Sequence, residues 1–248
     1  MTAISYQLYS SRNFGPIEKT LTMLAAKGYR NVEGYAGLYD DVPTLRAALD
    51  STGLAMPTGH FSIAMLEDEP DTALDIARQL GMKRIYCPYL TPDERPTDKD
   101  GWSALGARLG AAGAPFTAAG LGFGWHNHDF EFAALKDGSI PQELIFAAAP
   151  DLEWEADIAW IVRGGADPME WIKRHGHRIS SAHAKDIAVA GENTDEDGWA
   201  DVGHGRMDWR AIALALKATP VKYLIVEHDN PSDDVRFAEN SLATVQSF

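Results

Sequence analysis

Titratable side chains recur in this chain at the points where short apolar, β-rich segments end. They stand at or just after seven of these ends, in the order Glu33, His60, Cys87, His126 with His128, Asp157, His183 with Lys185, and Glu227 with Asp229. Charges on a solvated surface have no reason to follow the ends of buried segments. The pattern therefore predicts that these side chains share one site.

Three of these residues suit a divalent metal ion. Asp157, His183 and Glu227 follow consecutive segments and offer carboxylate oxygens and an imidazole, which are ligands for Mn, Mg, Co or Zn. Cys87 is the only cysteine, so neither an internal disulfide nor a thiolate cluster can form within the chain. The sequence predicts a metal centre made from His, Asp and Glu.

The segments that carry these residues alternate with stretches of helical periodicity, which is typical of parallel βαβ units. We predict eight strands, at 4–9, 31–33, 54–60, 84–87, 122–126, 152–156, 179–183 and 223–227. The clearest helices are predicted at 17–27, 42–51, 72–80, 102–111 and 168–175, and the Ala- and Gly-rich stretch 105–120 is interpreted as helical.

The length of 248 residues matches the roughly 250 residues of a single eight-fold barrel. We therefore predict a (β/α)8 TIM barrel that forms one domain over 1–248. Such barrels assemble their active sites at the carboxyl ends of the strands, where the titratable residues are expected here. The acidic segment 191–201 follows the seventh strand and is predicted to be a mobile loop at this rim.

Several motifs resemble those of a known family. The segment GWHNHDFEF (124–132) is similar to the signature Gly-Tyr-His-Asn-His-Asp-Phe-Glu-Phe of one branch of the xylose isomerase-like TIM barrels, the sugar phosphate isomerase/epimerase family. EADIAW (155–160), SAHAKD (181–186), DVGHGRMDW (201–209) and IVEHD (225–229) also match. The resemblance spans most of the chain and implies the same barrel fold.

The resemblance also implies a metal centre. In this family four ligands from strands five to eight hold one divalent ion, commonly Mn, and they are usually Glu, Asp, His and Glu. By motif position the last three are Asp157, His183 and Glu227, whereas the first falls on His126. Epimerases of the family use two Glu ligands on opposite faces of the substrate, one to remove and one to return a proton. Because one of that pair is an imidazole here, His126 could bind metal, act as acid or base, or hydrogen-bond substrate.

Further roles are expected for the neighbouring side chains. Glu227 is the first candidate base, and Lys185 lies two residues after His183, so both face one side of an extended strand and the ammonium could hold an oxyanion. A rim salt bridge is the structural alternative for Lys185. Nearby carboxylates that could replace the missing charge are Glu131 and Glu155. Substrate contacts are expected from His60, His128, Trp160 and Glu33.

The predicted function is a metal-dependent isomerase or epimerase that acts on a keto-sugar or cyclitol by proton abstraction beside a carbonyl. The departure at His126 leaves two alternatives open. One is a sugar lyase or dehydratase that works by β-elimination, and the other is a barrel that only binds sugar or serves as the partner of an active subunit.

Composition argues against other classes of partner. The formal net charge of −14 repels a phosphate backbone, which argues against nucleic acid and against the abasic-site endonucleases that share this barrel. No apolar run approaches the roughly 20 residues of a membrane span, and the first residues lack the pattern of a targeting signal. We expect a cytoplasmic protein with a small sugar substrate, and a homo-oligomer stays open.

Overall fold

A closed ring of eight parallel strands forms the centre of the computed structural model, which describes residues 2–248. The strands, labelled β1 to β8 in chain order, are Ala3–Gln7, Asn31–Gly34, Ala55–His60, Arg84–Cys87, Gly122–His126, Glu153–Asp157, Ile179–Ala184 and Tyr223–Val226. Each strand pairs with the next along the chain, and β8 pairs with β1 to close the ring. The predicted (β/α)8 barrel is confirmed.

Helices occupy the intervals between the strands. Numbered α1 to α10, they are Ile17–Lys27, Val42–Thr52, Ile63–Asp68, Pro70–Leu80, Lys99–Ala118, Pro141–Ala148, Ile158–Arg163, Pro168–His175, Trp209–Leu216 and Asp234–Val245. The Ala- and Gly-rich stretch belongs to α5, which begins earlier than predicted. Each predicted helix is found. The bounds of α1 and α8 are as predicted, α2 and α4 differ by one or two residues at one end, and α5 begins three residues before 102 and ends two residues before 120.

Local sequence explains where several helices begin and end. Asp41 accepts a hydrogen bond from the backbone of Thr44 at the start of α2, and Asp98 does the same for Gly101 at the start of α5. These side chains satisfy amide groups that have no partner within the helix. Helix α1 ends at Gly28, which has a φ of 106° that few other residues adopt.

Strand β1 ends two residues earlier than predicted. Leu8–Ser11 form a 3-10 helix instead of continuing the strand, and the side chain of Gln7 accepts a hydrogen bond from the backbone N–H of Tyr9 at 3.1 Å. The apolar pattern alone predicts that the strand continues to Tyr9, but this local hydrogen bond favours a 3-10 helix after Gln7.

Alternation along β6 separates the core from the inside of the barrel. Trp154 packs against Phe146 of α6 and Trp171 of α8, with ring centroids 5.4 and 6.3 Å apart. Because successive side chains of a strand point to opposite faces, Glu155 and Asp157 point into the barrel. Both carboxylates are fully buried, and they contribute to the site described below.

The acidic segment 191–201, which was expected to be mobile, is held by specific contacts. It contains the 3-10 helix Thr194–Glu196 and the short strand Trp199–Ala200, which pairs antiparallel with Asp186–Ile187. Glu196 is buried, and its Oε1 accepts hydrogen bonds from Ser232 N at 2.7 Å and Arg236 Nη2 at 2.9 Å. The segment is therefore fastened to the loop and helix that follow β8.

Within residues 2–248, no helix combines the length and the apolar character needed to cross a membrane.

Candidate active site and metal centre

The carboxyl ends of four adjacent strands bring titratable side chains together. His126 ends β5, Asp157 ends β6, His183 lies one residue before the end of β7, and Glu227 directly follows β8. The strand register places Asp157 beside His183. One atom from each of the four side chains lies within 4.8 Å of the others, and all four residues are buried. We call these four residues the rim set, and they are the ligands expected from the sequence.

Lys185 places its ammonium group among the carboxylates of this end of the barrel. Its Nζ lies 2.8 Å from Oε2 of Glu227, 2.9 Å from Oδ1 of Asp229 and 3.2 Å from Oδ2 of Asp157. The side chain is 1% exposed. Burial alone would lower the pKa of Lys185, but the three carboxylates outweigh it and raise the pKa. The lysine is therefore a cation at neutral pH.

A second group of four side chains lies deeper in the barrel. His60, His126, Glu155 and His183 also bring one atom each within 4.8 Å of the others, and we call them the inner set. Oε2 of Glu155 lies 2.5 Å from Nε2 of His60, 3.3 Å from Nδ1 of His126 and 3.3 Å from Nε2 of His183. Three imidazoles therefore converge on one carboxylate oxygen, an arrangement that the sequence did not reveal.

Glu33 lies against the inner set. Its Oε1 accepts a hydrogen bond from Gln7 at 2.9 Å, and it lies 2.8 Å from Nε2 of His183 and 3.2 Å from Nε2 of His60. The carboxylate is fully buried and does not line the cavity described below. A contact between Glu33 and substrate stays a prediction, whereas its contacts with the two imidazoles are direct.

Two neighbouring groups of the rim set differ in charge. Burial would raise the pKa of Glu227, but Lys185 and His183 outweigh it and hold that pKa well below its usual range. Burial and the nearby charge of His183 and His60 hold the pKa of His126 well below its usual range. These surroundings therefore favour the ionised form of Glu227 and the neutral form of His126.

A cavity of about 680 Å³ opens on these groups, a volume within the range of small-molecule sites. The predicted site residues in its wall are His60, His126, His128, Trp160, Lys185 and Glu227. The ring centroids of His128 and Trp160 lie 5.3 Å apart. Asp157 and His183 do not line this wall. They lie behind it, where Asp157 contacts Lys185 and His183 contacts Glu227.

The cavity wall also contains residues that the sequence did not single out. The guanidinium carbon of Arg95 lies 3.7 Å from the ring centroid of Phe130, and Arg95 donates a hydrogen bond to the hydroxyl of Tyr89 at 2.8 Å. These residues lie in loops beyond β4 and β5, where no strand end marks them. Phe130 falls within the GWHNHDFEF motif, which was the only signal available for it.

The donor chemistry of the cluster fits a divalent ion. Nδ1 of His126 and Oε1 of Glu155 are buried and have no hydrogen-bond partner among residues 2–248. A buried polar atom without a partner costs about 1–3 kcal/mol, and coordination to an ion would remove that cost. Carboxylate oxygens and imidazole nitrogens together suit Mn, Co and Zn, and the oxygens also suit Mg.

Neither the models of known protein families nor the curated proteins give a match to the sequence. Solved structures do match. A sugar phosphate isomerase/epimerase from Parabacteroides distasonis has a TM-score of 0.83 and 21% sequence identity, over 99% of this chain and 94% of that chain. The 3-keto-D-glucoside 4-epimerase YcjR from E. coli, in its apo form, has a TM-score of 0.72 and 16% identity, over 100% of both chains.

The IOLI protein, whose structure has a bound zinc atom, has a TM-score of 0.76 and 14% identity, over 99% of this chain and 97% of that chain. A fusion protein that contains a xylose isomerase-like TIM barrel also matches along 97% of this chain. Structural similarity at sequence identities this low shows a shared fold and does not show a shared activity. The chain therefore has the (β/α)8 TIM-barrel fold and is similar in structure to proteins described as sugar phosphate isomerase/epimerase and as xylose isomerase-like TIM barrel.

Proposed function

We propose that this chain is a divalent-metal-dependent isomerase or epimerase that acts on a keto-sugar or cyclitol by removing a proton beside a carbonyl. One observation carries the proposal: Glu227 and His126 lie within 4.8 Å of each other in the wall of one cavity. An ionised carboxylate can accept a proton from carbon, and a neutral imidazole can accept or, once protonated, return one.

The rim set of His126, Asp157, His183 and Glu227 is proposed to hold the ion. Mn is the first expectation, from the family resemblance, with Mg, Co and Zn as alternatives. When bound, the ion would polarise the substrate carbonyl and make the adjacent carbon more acidic. The zinc atom of the IOLI structure supports metal binding in a barrel of this fold.

The chain's own groups would then move the proton and stabilise charge. Glu227 is proposed to take the proton from the carbon beside the carbonyl. Lys185 would donate a hydrogen bond to the oxygen that becomes negative, because its ammonium is already fixed beside Glu227. His126 is proposed either to move a proton as acid or base on the same side of the substrate as Glu227, or to bind the ion.

Other residues of the cavity wall are proposed to position the sugar. His60 and His128 can hydrogen-bond its hydroxyl groups, and Trp160 offers a flat apolar surface to the ring. Because Lys185 Nζ lies 5.3 Å from the Trp160 ring centroid, a sugar against this tryptophan would lie close to the proposed oxyanion contact. Glu33 is also proposed to contact the sugar.

A lyase or dehydratase is the second candidate, and the imidazole in place of one carboxylate favours it. In a β-elimination one group removes a proton from carbon and another protonates the leaving oxygen, so two equivalent carboxylates are not needed. Ionised Glu227 is proposed to remove the proton, and the Lys185 ammonium beside it in the cavity wall to protonate the leaving oxygen.

The substrate is proposed to be a small sugar in the cytoplasm, with neither nucleic acid nor a membrane as a partner. The net charge of −14 supports the exclusion of nucleic acid. For the oligomeric state, a homo-oligomer is proposed as the alternative to a monomer.

The test is proton exchange with solvent. Metal-depleted protein is incubated in deuterated water with a panel of ketoses, keto-glycosides and keto-cyclitols, with and without Mn, and NMR follows both exchange and products. We expect exchange beside the carbonyl only with metal, and a loss of about 100-fold or more in Glu227→Gln. Glu153→Gln, a carboxylate at the opposite end of β6, is the matched control and is expected to keep the rate.

The products separate the candidates. Exchange with a rearranged or epimerised sugar supports the first, and an unsaturated or cleaved product supports the lyase or dehydratase. No metal-dependent exchange or product across the panel would refute both. Purified protein without a stoichiometric ion, and without tighter sugar binding on adding one, would instead favour a sugar-binding barrel or the partner of an active subunit.

A further inference from the structure

The imidazole of His183 faces different carboxylates with its two nitrogens. Nδ1 lies 2.8 Å from Oε2 of Glu227, which belongs to the rim set. Nε2 lies 2.8 Å from Oε1 of Glu33 and 3.3 Å from Oε2 of Glu155, which lie deeper in the barrel. The ring therefore separates two places where a cation could be bound.

The deeper place has the donors of a transition-metal site. The inner set contributes three imidazoles and one carboxylate, from strands β3, β5, β6 and β7. The ring centroids of His126 and His183 lie 4.4 Å apart, and those of His60 and His126 lie 5.1 Å apart. Two buried atoms of this set, Nδ1 of His126 and Oε1 of Glu155, have no hydrogen-bond partner in the described part of the chain.

The two places differ in the positive charge that already compensates their carboxylates. In the rim set the Lys185 ammonium contacts both Asp157 and Glu227. In the deeper place Glu33 and Glu155 are both fully buried, and their ion-pair partners among residues 2–248 are imidazoles alone. A divalent cation bound here would replace the charge that these imidazoles supply to the two buried carboxylates, because a ligating imidazole gives up its proton to the solvent.

We propose that His60, His126, Glu155 and His183 form an alternative divalent-metal site, which shares His126 and His183 with the rim set and is selective for zinc or cobalt. Imidazole-rich sites favour these ions, whereas sites of carboxylate and water favour Mg and Mn. Because His126 and His183 belong to both sets, each chain binds one such ion, and zinc or cobalt takes the inner set. The site stands independently of the proposed reaction.

Cobalt titration of the metal-free chain tests the site. Calorimetry gives the stoichiometry and Kd, and visible absorption reports the ligands. We expect one Co²⁺ per chain. His60→Gln and Glu155→Gln, which change residues of the inner set alone, are expected to weaken Co²⁺ binding by about 100-fold or more, because each removes a direct ligand.

Matched variants of the rim set provide the comparison. Asp157→Asn is expected to leave the Co²⁺ affinity within about threefold, because Asp157 is not a ligand of the inner set. Glu227→Gln removes the carboxylate beside Nδ1 of His183 and is expected to weaken Co²⁺ binding by about 10-fold, less than the loss of a direct ligand. Asparagine also preserves the cap that Asp157 gives to α7. The reverse order of effects, or no Co²⁺ binding by the unaltered chain, overturns the proposal.

X-ray absorption of the zinc-loaded, unaltered chain gives a reading that depends on no variant. The inner set predicts three imidazole ligands around zinc, whereas the rim set supplies two. A count of two overturns the inner site even where a variant fails to fold. None of these measurements uses catalysis, so the site can fail while the metal-dependent proton exchange proposed above is observed, and the reverse also holds.

Discussion

The Lys185 ammonium lies among three carboxylates at the end of the barrel. The side chain is 1% exposed, and its ammonium compensates Asp157, Glu227 and Asp229 at distances between 2.8 and 3.2 Å. Carboxylates buried at the end of a barrel would repel one another without it. The lysine therefore contributes to the stability of the site as well as to the chemistry proposed for it.

Replacing this lysine tests its contribution to folding. Lys185→Met is expected to lower the free energy of unfolding of the metal-free protein by about 3–5 kcal/mol, because it leaves buried carboxylates without their cation. Urea unfolding measures the change. The control is Lys173→Met, at a side chain that is 77% exposed, where a change within about 0.5 kcal/mol is expected. Equal effects of the two substitutions would contradict this reading.

The sequence predicted which residues come together better than how they pair. Strand ends marked His126, Asp157, His183 and Glu227, because the carboxyl ends of parallel strands meet at one edge. Alternation placed Glu153, Glu155 and Asp157 on one face of β6 and could not rank them by depth. In the structure Glu153 pairs with Arg84 at the other end of the strand, Glu155 forms ion pairs with three imidazoles, and Asp157 lies near two of them in the rim set. Their assigned roles stay predictions.

At the scale of elements, a helix rich in small residues packs closely against its neighbour. A Cβ added at Gly106 of α5 would lie 2.6 Å from the backbone oxygen of Ile145 and 2.9 Å from Cβ of Ala148, both in α6. At Gly110 the nearest atom to such a Cβ, on Ala149, would be 3.7 Å away. The same residue type therefore serves two different purposes within α5.

Two alanine substitutions separate these purposes. Gly106→Ala is expected to destabilise the protein by about 1–3 kcal/mol, because the backbone of α6 must move. Gly110→Ala, one helical turn later and exposed, is expected to stabilise it by about 0.5–1 kcal/mol, because alanine favours helix. Urea unfolding of both variants measures the difference, and effects of the same sign would refute the close packing of α5 on α6.

Element boundaries were predictable where a residue type determines them. Gly28 ends α1 where the sequence placed the end, because its positive φ favours glycine. The end of β1 was missed, because the backbone N–H of Tyr9 donates a hydrogen bond to the side chain of Gln7 and stops the strand within an apolar segment. The contacts of the acidic segment 191–201 were missed for a similar reason: its partners, Ser232 and Arg236, are distant in sequence. Its mobility stays a prediction.

The contact between Glu196 and Arg236 predicts a pH dependence. Burial would raise the pKa of Glu196, but hydrogen bonds from Ser232 and Arg236 outweigh it and lower the pKa. A carboxylate whose pKa is lower in the folded state stabilises the protein at pH values above its unfolded pKa of about 4.3. This contribution is lost as the pH falls from that value through the folded pKa.

We therefore expect Glu196→Gln to be less stable than the unaltered protein by about 1–3 kcal/mol at neutral pH. The difference should shrink as the pH falls below 4.3, the approximate unfolded pKa. Urea unfolding at several pH values measures both. Glu192→Gln, at an exposed position of the same segment, should change little at any pH, and a difference that persists in acid would exclude the ionised contact.

At the scale of the whole molecule, the candidate ligands connect distant parts of the chain. They come from β3, β5, β6 and β7 and from the residue after β8, so they meet only when the barrel is closed. An ion that binds them binds the folded chain and not the unfolded one. Metal binding and the stability of the barrel must therefore be linked.

This linkage makes the thermal midpoint depend on metal concentration. At an ion concentration 100 times the Kd, the folded state gains about 2.7 kcal/mol, which raises Tm by about 5–11 °C for a domain of this size. Calorimetry of metal-free protein with added Mn or Zn measures the shift. The double variant Glu155→Gln with Glu227→Gln removes one ligand from each set, so its Tm should respond far less. A Tm of the unaltered protein that is indifferent to every divalent ion would refute metal binding by either set, because no ligand can bind the folded state alone without stabilising it.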